Sequence, residues 1–123
     1  MTDSKPKRLK PKRWHLYVVD LEPRIGTKPG KQCPCLSIQP TEFAELGLRS
    51  SVILPLTTKL TEVDAFPLRV RIPKGTAGID RDSDALIDQM LAWDHSLFRK
   101  DLGLIPEGLQ ETIRLALHDF LDL

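Results

Sequence analysis

The only two cysteines of the chain lie in one short stretch, GTKPGKQCPC (26–35), together with two glycines and two lysines. Glycine and lysine at this density suit a phosphate cradle, whereas Cys-x-Cys suits metal binding or redox chemistry. Each chemistry needs partners. Cys33 and Cys35 find no zinc-ligand spacing with His15, His95 or His118. Dithiol oxidoreductases use Cys-x-x-Cys beside a βαβ unit, and neither is present. GTKPGK also lacks the Gly-Lys-Ser/Thr step by which a Walker loop enters a helix. A basic loop carrying Thr27, Lys28 and Lys31 remains, able to grip a nucleic-acid backbone or simply to be solvated. The strand after it would hold Cys35 as a small core residue, with Cys33 facing the other side.

The elements that would position this loop can be read from the hydrophobic pattern. WHLYVVDL (14–21) is aromatic and β-branched and reads as a first strand. EPRIGTKPGKQ is a loop punctuated by proline and glycine, and CPCLSIQ is extended again. PTEFAELGL reads as a short helix, with Pro40 in its first turn and Gly47 as its stop. SSVILPLTT is a buried strand, and FPLRVRI alternates Leu68, Val70 and Ile72 inward with Arg69 and Arg71 on a solvated face. DALIDQMLAW reads as one further strand and DHSLFRK as a helical turn or two capped by Asp94. Leu109, Ile113, Ala116, Leu117, Phe120 and Leu121 recur at helical spacing behind Pro106. About five short strands and a closing helix give a small antiparallel barrel or an α+β layer, not a βαβ fold.

The 123 residues suffice for one modest core, and 41% apolar with 28% charged residues is ordinary for a globular domain. The net charge of +1 hides an asymmetry: the first thirteen residues carry +5 and the remaining 110 carry −4. Residues 1–13 are therefore expected to be a basic, disordered arm, either a solubilising tail or a source of non-specific phosphate affinity, followed by one domain over 14–123. No apolar run is long enough to span a membrane, and Asp20 and Glu22 interrupt any export signal. Two cysteines separated by one residue on an extended strand sit near the ~7 Å Cα limit for a disulfide, so free thiols in a reducing, cytoplasmic setting are expected.

Taken in order, the segments resemble the MazF/PemK family of toxin endoribonucleases. LYVVDLEPRIGTKPGKQCP is similar to that family's D-V-Y-x-V-D-L-x-P strand and G-S-E-Q-x-G-x-R-P loop. PTEFAELGL occupies the place of its N-D-x-F-N helix, VILPLTTK that of its strand ending in Ile/Cys-Thr, and FPLRVRIP that of Y-P-F-x-V-x-L-P. GIDRDSDALIDQMLAWDHSLFRKDLGLIPEGLQETIRLAL follows its G-x-x-x-D-S-V-x-L-x-D-Q-I-R-T segment and closing helix. The resemblance runs from Trp14 to the C-terminus. It implies a mainly β fold, a small SH3-like barrel of the CcdB/MazF type with a C-terminal helix, forming a homodimer. It also implies metal-independent cleavage of single-stranded RNA at short sequence motifs, without a cofactor, and inhibition by a cognate antitoxin lying across the RNA groove.

Such cleavage needs groups that move a proton from the 2′-hydroxyl and to the leaving 5′-oxygen, and donors or cations around the phosphate. By resemblance the catalytic positions are Thr57, Thr27 and Cys33, with Arg24, Lys28, Lys31, Thr58 and Gln89 contacting RNA. Cys33 stands where the family has its catalytic arginine, and a thiol does not reproduce a guanidinium fork. Leu91 likewise replaces the arginine of Q-I-R-T. Two readings follow. In one, Arg24, Lys28 or Lys31 takes over the transition-state charge. In the other, the scaffold binds antitoxin or nucleic acid without cutting. A third, unrelated reading, an SH3-like binding module, would need exposed aromatic residues, and the seven aromatics are expected mostly inward, with Trp93 nearest the groove. His15, His95 and His118 are expected at or near the surface without a catalytic role.

Overall fold

The computed structural model describes residues 9–21 and 31–123. Its elements run β1 (His15–Asp20), β2 (Gln32–Ser37), α1 (Thr41–Glu45), β3 (Ser50–Thr57), β4 (Arg69–Ile72), β5 (Ser83–Leu86), β6 (Leu91–Asp94), β7 (Phe98–Leu104) and α2 (Glu107–Leu121). The seven strands form one antiparallel sheet in the order β4-β5-β3-β2-β1-β7, with β6 paired to β3 off this path. This is the mainly β architecture with a closing helix that the sequence implies. Among the described residues the ladders leave the sheet open between β4 and β7.

Three expected boundaries move. DALIDQMLAW is two strands, because a 3₁₀ turn at Ile87–Gln89 interrupts it. The reason lies across the ladder: β6 pairs with β3 from Ser50 to Ile53 and β5 pairs with it only from Leu56, which leaves Leu54 and Pro55 as a gap. Pro55 has no N–H to offer a partner, so the ladder breaks there and the chain turns. DHSLFRK contains only one 3₁₀ turn, His95–Leu97, where the Asp94 carboxylate accepts from the Ser96 N–H at 2.8 Å. Its second half opens β7, which pairs with β1 around two register shifts. Pro40 and Pro106 precede their helices as N-caps rather than entering the first turn.

The sheet buries side chains on both faces. Leu16, Leu36, Leu54, Leu56, Val70, Ile72 and Ile87 lie in one cluster, which Ile113 and Ala116 of α2 cover. Tyr17, Val19, Cys33, Cys35, Ile53 and Phe98 form a second cluster on the opposite face. Alternation along each strand assigns residues to these faces, since neighbours in sequence point to opposite sides. Trp14 joins the halves: its N–H donates to Ser37 O at 2.7 Å and its carbonyl accepts from Ile105 N–H at 2.9 Å. The Arg13 and Arg114 guanidiniums lie 4.8 and 5.5 Å from its ring, tying β1 to α2.

The solvated arm ends earlier than expected. Pro11 is fully buried, Leu9 packs on the second cluster, and the Lys12 N–H donates to the Tyr17 hydroxyl at 2.7 Å. The Arg13 N–H reaches Thr41 Oγ1 at 2.9 Å. Residues 9–13 thus belong to the domain, while 1–8 lie outside the described residues. Leu68, expected inward, is exposed, as are Phe43, Phe66, Phe120 and Leu121. The apolar stripe of α2 therefore covers the core with its middle and overhangs it at its end. Replacing Ile113 by Ala removes the fully buried centre of that stripe and is expected to cost about 2–5 kcal/mol in urea unfolding. A loss below about 1 kcal/mol would show that α2 does not close the core.

Candidate active site

The exit of the 26–35 loop meets the end of β3. Cys35 pairs with Pro55, and continuing that register outward sets Cys33 level with Thr57. The Cys33 thiol donates to Leu56 O at 3.2 Å, locking the two strand ends together. By alternation Lys31, Cys33 and Thr57 share one face of the sheet. Lys31 is exposed and its carbonyl accepts from Leu21 N–H at 2.9 Å, which closes the base of the loop. Thr57 is half-buried, and its Oγ1 accepts from Lys59 N–H at 3.1 Å.

The remaining sequence-derived positions are more dispersed. Thr58 points to the opposite face, where it edges a shallow depression of about 210 Å³ with Pro34, Asp80 and Arg81. Gln89 is exposed on the turn opposite the β3 gap. Thr27, Arg24 and Lys28 lie outside the described residues. Cys33 does not face away from Cys35, as expected above. Residues two apart on a strand share a face, and both thiols enter the Tyr17 cluster as free cysteines. The Cys33 side chain is thus turned into the protein instead of standing in the open as a guanidinium substitute. Leu91 likewise packs on that cluster.

Sequence reasoning missed the residues that hold the end of β3 in place. Asp84 is buried, and its carboxylate accepts from Arg71 Nε at 2.7 Å and from the Thr61 N–H at 2.9 Å. Arg71 also donates to Thr61 O at 3.0 Å, and Arg69 to Lys59 O at 3.3 Å. Arg69 and Arg71 are therefore not a merely solvated face: they clamp the turn that follows Thr57. The signal was Asp84 directly before the apolar residues 85–87 of a strand, because a carboxylate drawn into the burial of such a strand requires a partner. Burial pushes the Asp84 carboxyl up, but Arg71 and Thr61 outweigh it and hold its pKa below the ordinary value.

The other polar groups lie elsewhere. His95 is buried rather than near the surface, with Nε2 2.7 Å from Ser51 Oγ. His15 Nδ1 meets Asp101 at 3.0 Å, and His118 is exposed on α2. Trp93 is half-buried and donates from Nε1 to Asp20 O at 2.8 Å. Among the described residues no three His, Cys, Asp or Glu side chains gather as metal ligands, and no helix is long and apolar enough to cross a membrane.

This fold is that of MazF proteins. The MazE–MazF complex of Deinococcus radiodurans in its form II superposes with a TM-score of 0.74 at 21% identity, covering 94% of this chain and 98% of that one. Toxin MazF-mt6 of Mycobacterium tuberculosis matches at 0.70 and 16% identity, covering 89% of this chain and 97% of that one. A mycobacterial endoribonuclease in complex with its cognate antitoxin matches at 0.70 and 19%, covering 93% and 95%. No curated protein matches at the level of sequence. The profile of the PemK-like, MazF-like toxins of type II toxin–antitoxin systems matches residues 12–121, and the chain belongs to that family.

The Asp84 clamp makes a pH prediction. A carboxylate whose folded pKa is depressed stabilises the fold in full above its unfolded value of about 4, and that contribution is lost as pH falls through the folded value. Asp84→Asn is therefore expected to lower the melting temperature at pH 7, by the equivalent of about 1–3 kcal/mol. The gap from wild type should close as the pH is lowered below about 4. A gap independent of pH would mean that the charge is not what holds the turn.

Proposed function

We propose that the protein is the toxin of a type II toxin–antitoxin pair and acts in the cytoplasm as a metal-independent endoribonuclease on single-stranded RNA. The observation that carries this reading is the meeting of the loop exit with the end of β3, which sets Lys31, Cys33 and Thr57 on one face. Family membership adds to it. In this reading the RNA 2′-oxygen gives its proton to water and attacks the adjacent phosphorus, closing a 2′,3′-cyclic phosphate as the bond to the 5′-oxygen breaks, and the 5′-oxygen takes a proton from water. The Thr57 hydroxyl donates to a phosphoryl oxygen, and the Lys31 ammonium offsets the charge that develops there. Arg24, Lys28 and Thr27 of the loop supply the remaining cations and hydroxyl, while Thr58 and Gln89 contact the flanking nucleotides. The protein acts as a homodimer and is inhibited by a cognate antitoxin.

The inward turn of Cys33 favours a second reading, in which the groove binds RNA or antitoxin but no longer cuts. Incubating a long single-stranded RNA in EDTA with wild type, Thr57→Ala and Cys33→Arg separates the two, with circular dichroism checking that each variant folds. The enzyme reading expects cleavage by wild type and a loss of about 10²–10³ in rate for Thr57→Ala. Wild-type silence overturns it, and cleavage gained by Cys33→Arg would then establish the second reading.

A further inference from the structure

Cys33 and Thr57 have chain neighbours on the reverse side of the same strand ends. Pro34 follows the one and Thr58 the other, and successive strand residues point to opposite faces. Pro34 pairs with Val18 of β1. Val18, Pro34 and Leu102 wall the depression of about 210 Å³ on that side, and Thr58, Asp80 and Arg81 stand on its rim. The segment that bears Asp80 and Arg81 is pinned by its backbone. The Gly75 N–H donates to Ile79 O at 2.9 Å, the Ile79 N–H to Thr76 O at 3.0 Å, and Ser83 Oγ to Arg81 O at 3.2 Å. Gly78, at φ +77°, lets this segment approach β7: a Cβ there would lie 3.4 Å from Leu102 O. The side chains of Asp80 and Arg81 take no part in this bonding. Both are exposed, and among the described residues neither has a hydrogen-bond or ion-pair partner, unlike Asp84 and Arg71, which hold each other. Unengaged polar groups on a fixed backbone, above an apolar wall, can bind a ligand with little ordering cost.

A nucleobase has the matching chemistry, with two apolar faces and an edge of donors and acceptors, and single-stranded RNA offers it unstacked. We propose that the depression takes guanine, as the base next to the phosphate held at Thr57. The choice of base follows from the rim. Guanine's N1–H and N2–H are adjacent donors for the Asp80 carboxylate, and its O6 and N7 are acceptors for the Arg81 guanidinium. Adenine and cytosine turn a bare ring nitrogen toward a carboxylate, and uracil flanks its single N–H with two carbonyls. Val18, Pro34 and Leu102 meet the ring itself. A strand of RNA crossing the end of β3 touches both of its sides, with phosphate at Thr57 and base at Thr58. The assignment rests on the proposed reading that RNA is held at Thr57.

The test measures binding of the full chain to 2′-deoxy-substituted single strands that cannot be cut, by fluorescence anisotropy. The strands are all uracil, or carry one guanine, inosine or adenine in that background. The guanine strand should bind about tenfold tighter than the adenine or all-uracil strand, with inosine, which lacks the N2 amino group, in between. Asp80→Asn should erase the preference for guanine over adenine, because an amide pairs equally well with adenine N1 and N6. Both rim residues are exposed, so Asp80→Asn and Arg81→Ala should fold as wild type does by circular dichroism, and Arg81→Ala should weaken the guanine strand more than the all-uracil one. Equal binding of all four strands, or a preference unchanged in Asp80→Asn, overturns the guanine pocket and leaves the proposed function standing. Binding of none overturns both. A guanine preference in a protein that does not cut RNA keeps the pocket and overturns the cleavage reading.

Discussion

The rest of the structure depends on β3 being hydrogen-bonded along both edges. On one edge it pairs with β2 through Ile53, Leu54 and Pro55. On the other it pairs first with β6 and then, beyond the proline gap, with β5. A strand held on both sides has little freedom at its end, so Thr57 is fixed by its pairing with Asp84 of β5 and by the neighbouring Cys33–Leu56 contact rather than by its own loop. That constraint also explains why β2 matters: the strand leaving the 26–35 loop runs directly against β3, and the Cys33–Leu56 contact is the last stitch before the two chains part.

The polar groups around this end have distinct roles. Asp84, from β5, reaches Arg71 and Thr61 and fixes the turn behind Thr57, so a buried charge stabilises a surface loop. Breaking such a pair costs more than its net worth, because an uncompensated buried carboxylate is left behind. The two thiols, on the same face as Thr57, place no fixed cation next to it. The positive charge described there is that of the exposed Lys31. The Cys33 side chain itself belongs to the cluster beneath that face.

The sequence made the fold largely legible because its strands alternate and its closing helix has a clear apolar period. β1, β2, β3 and β4 were readable from β-branched and alternating residues, and the ordered motifs indicated the family. The break at Ile87–Gln89 was not legible, since it is set by Pro55, a residue far away in sequence that lies opposite it only once β3 is in place. β7 was hidden because FRKDLGL carries exposed Arg99, Lys100 and Asp101 on an edge strand and lacks an apolar face to declare it. For the candidate site, motif position suggests Thr57 and the basic loop composition suggests Lys31. The Asp84 clamp and the inward turn of Cys33 could not be read, because both depend on pairing between strands distant in the chain. The packing of residues 9–13 was obscured by their lysines, whose charge suggested solvent while Pro11 and Leu9 were buried.

The account rests on the loop exit and the end of β3 forming one RNA-contacting face. The most direct measurement is an amide chemical-shift titration of the isotopically labelled protein with a 2′-deoxy-substituted single-stranded oligonucleotide that cannot be cut. Binding there should shift the amides of Lys31, Cys33, Leu56, Thr57 and Thr58 and leave the middle of α2 unmoved. Shifts confined to α1 or α2, or a spectrum unchanged at saturating oligonucleotide, would contradict it.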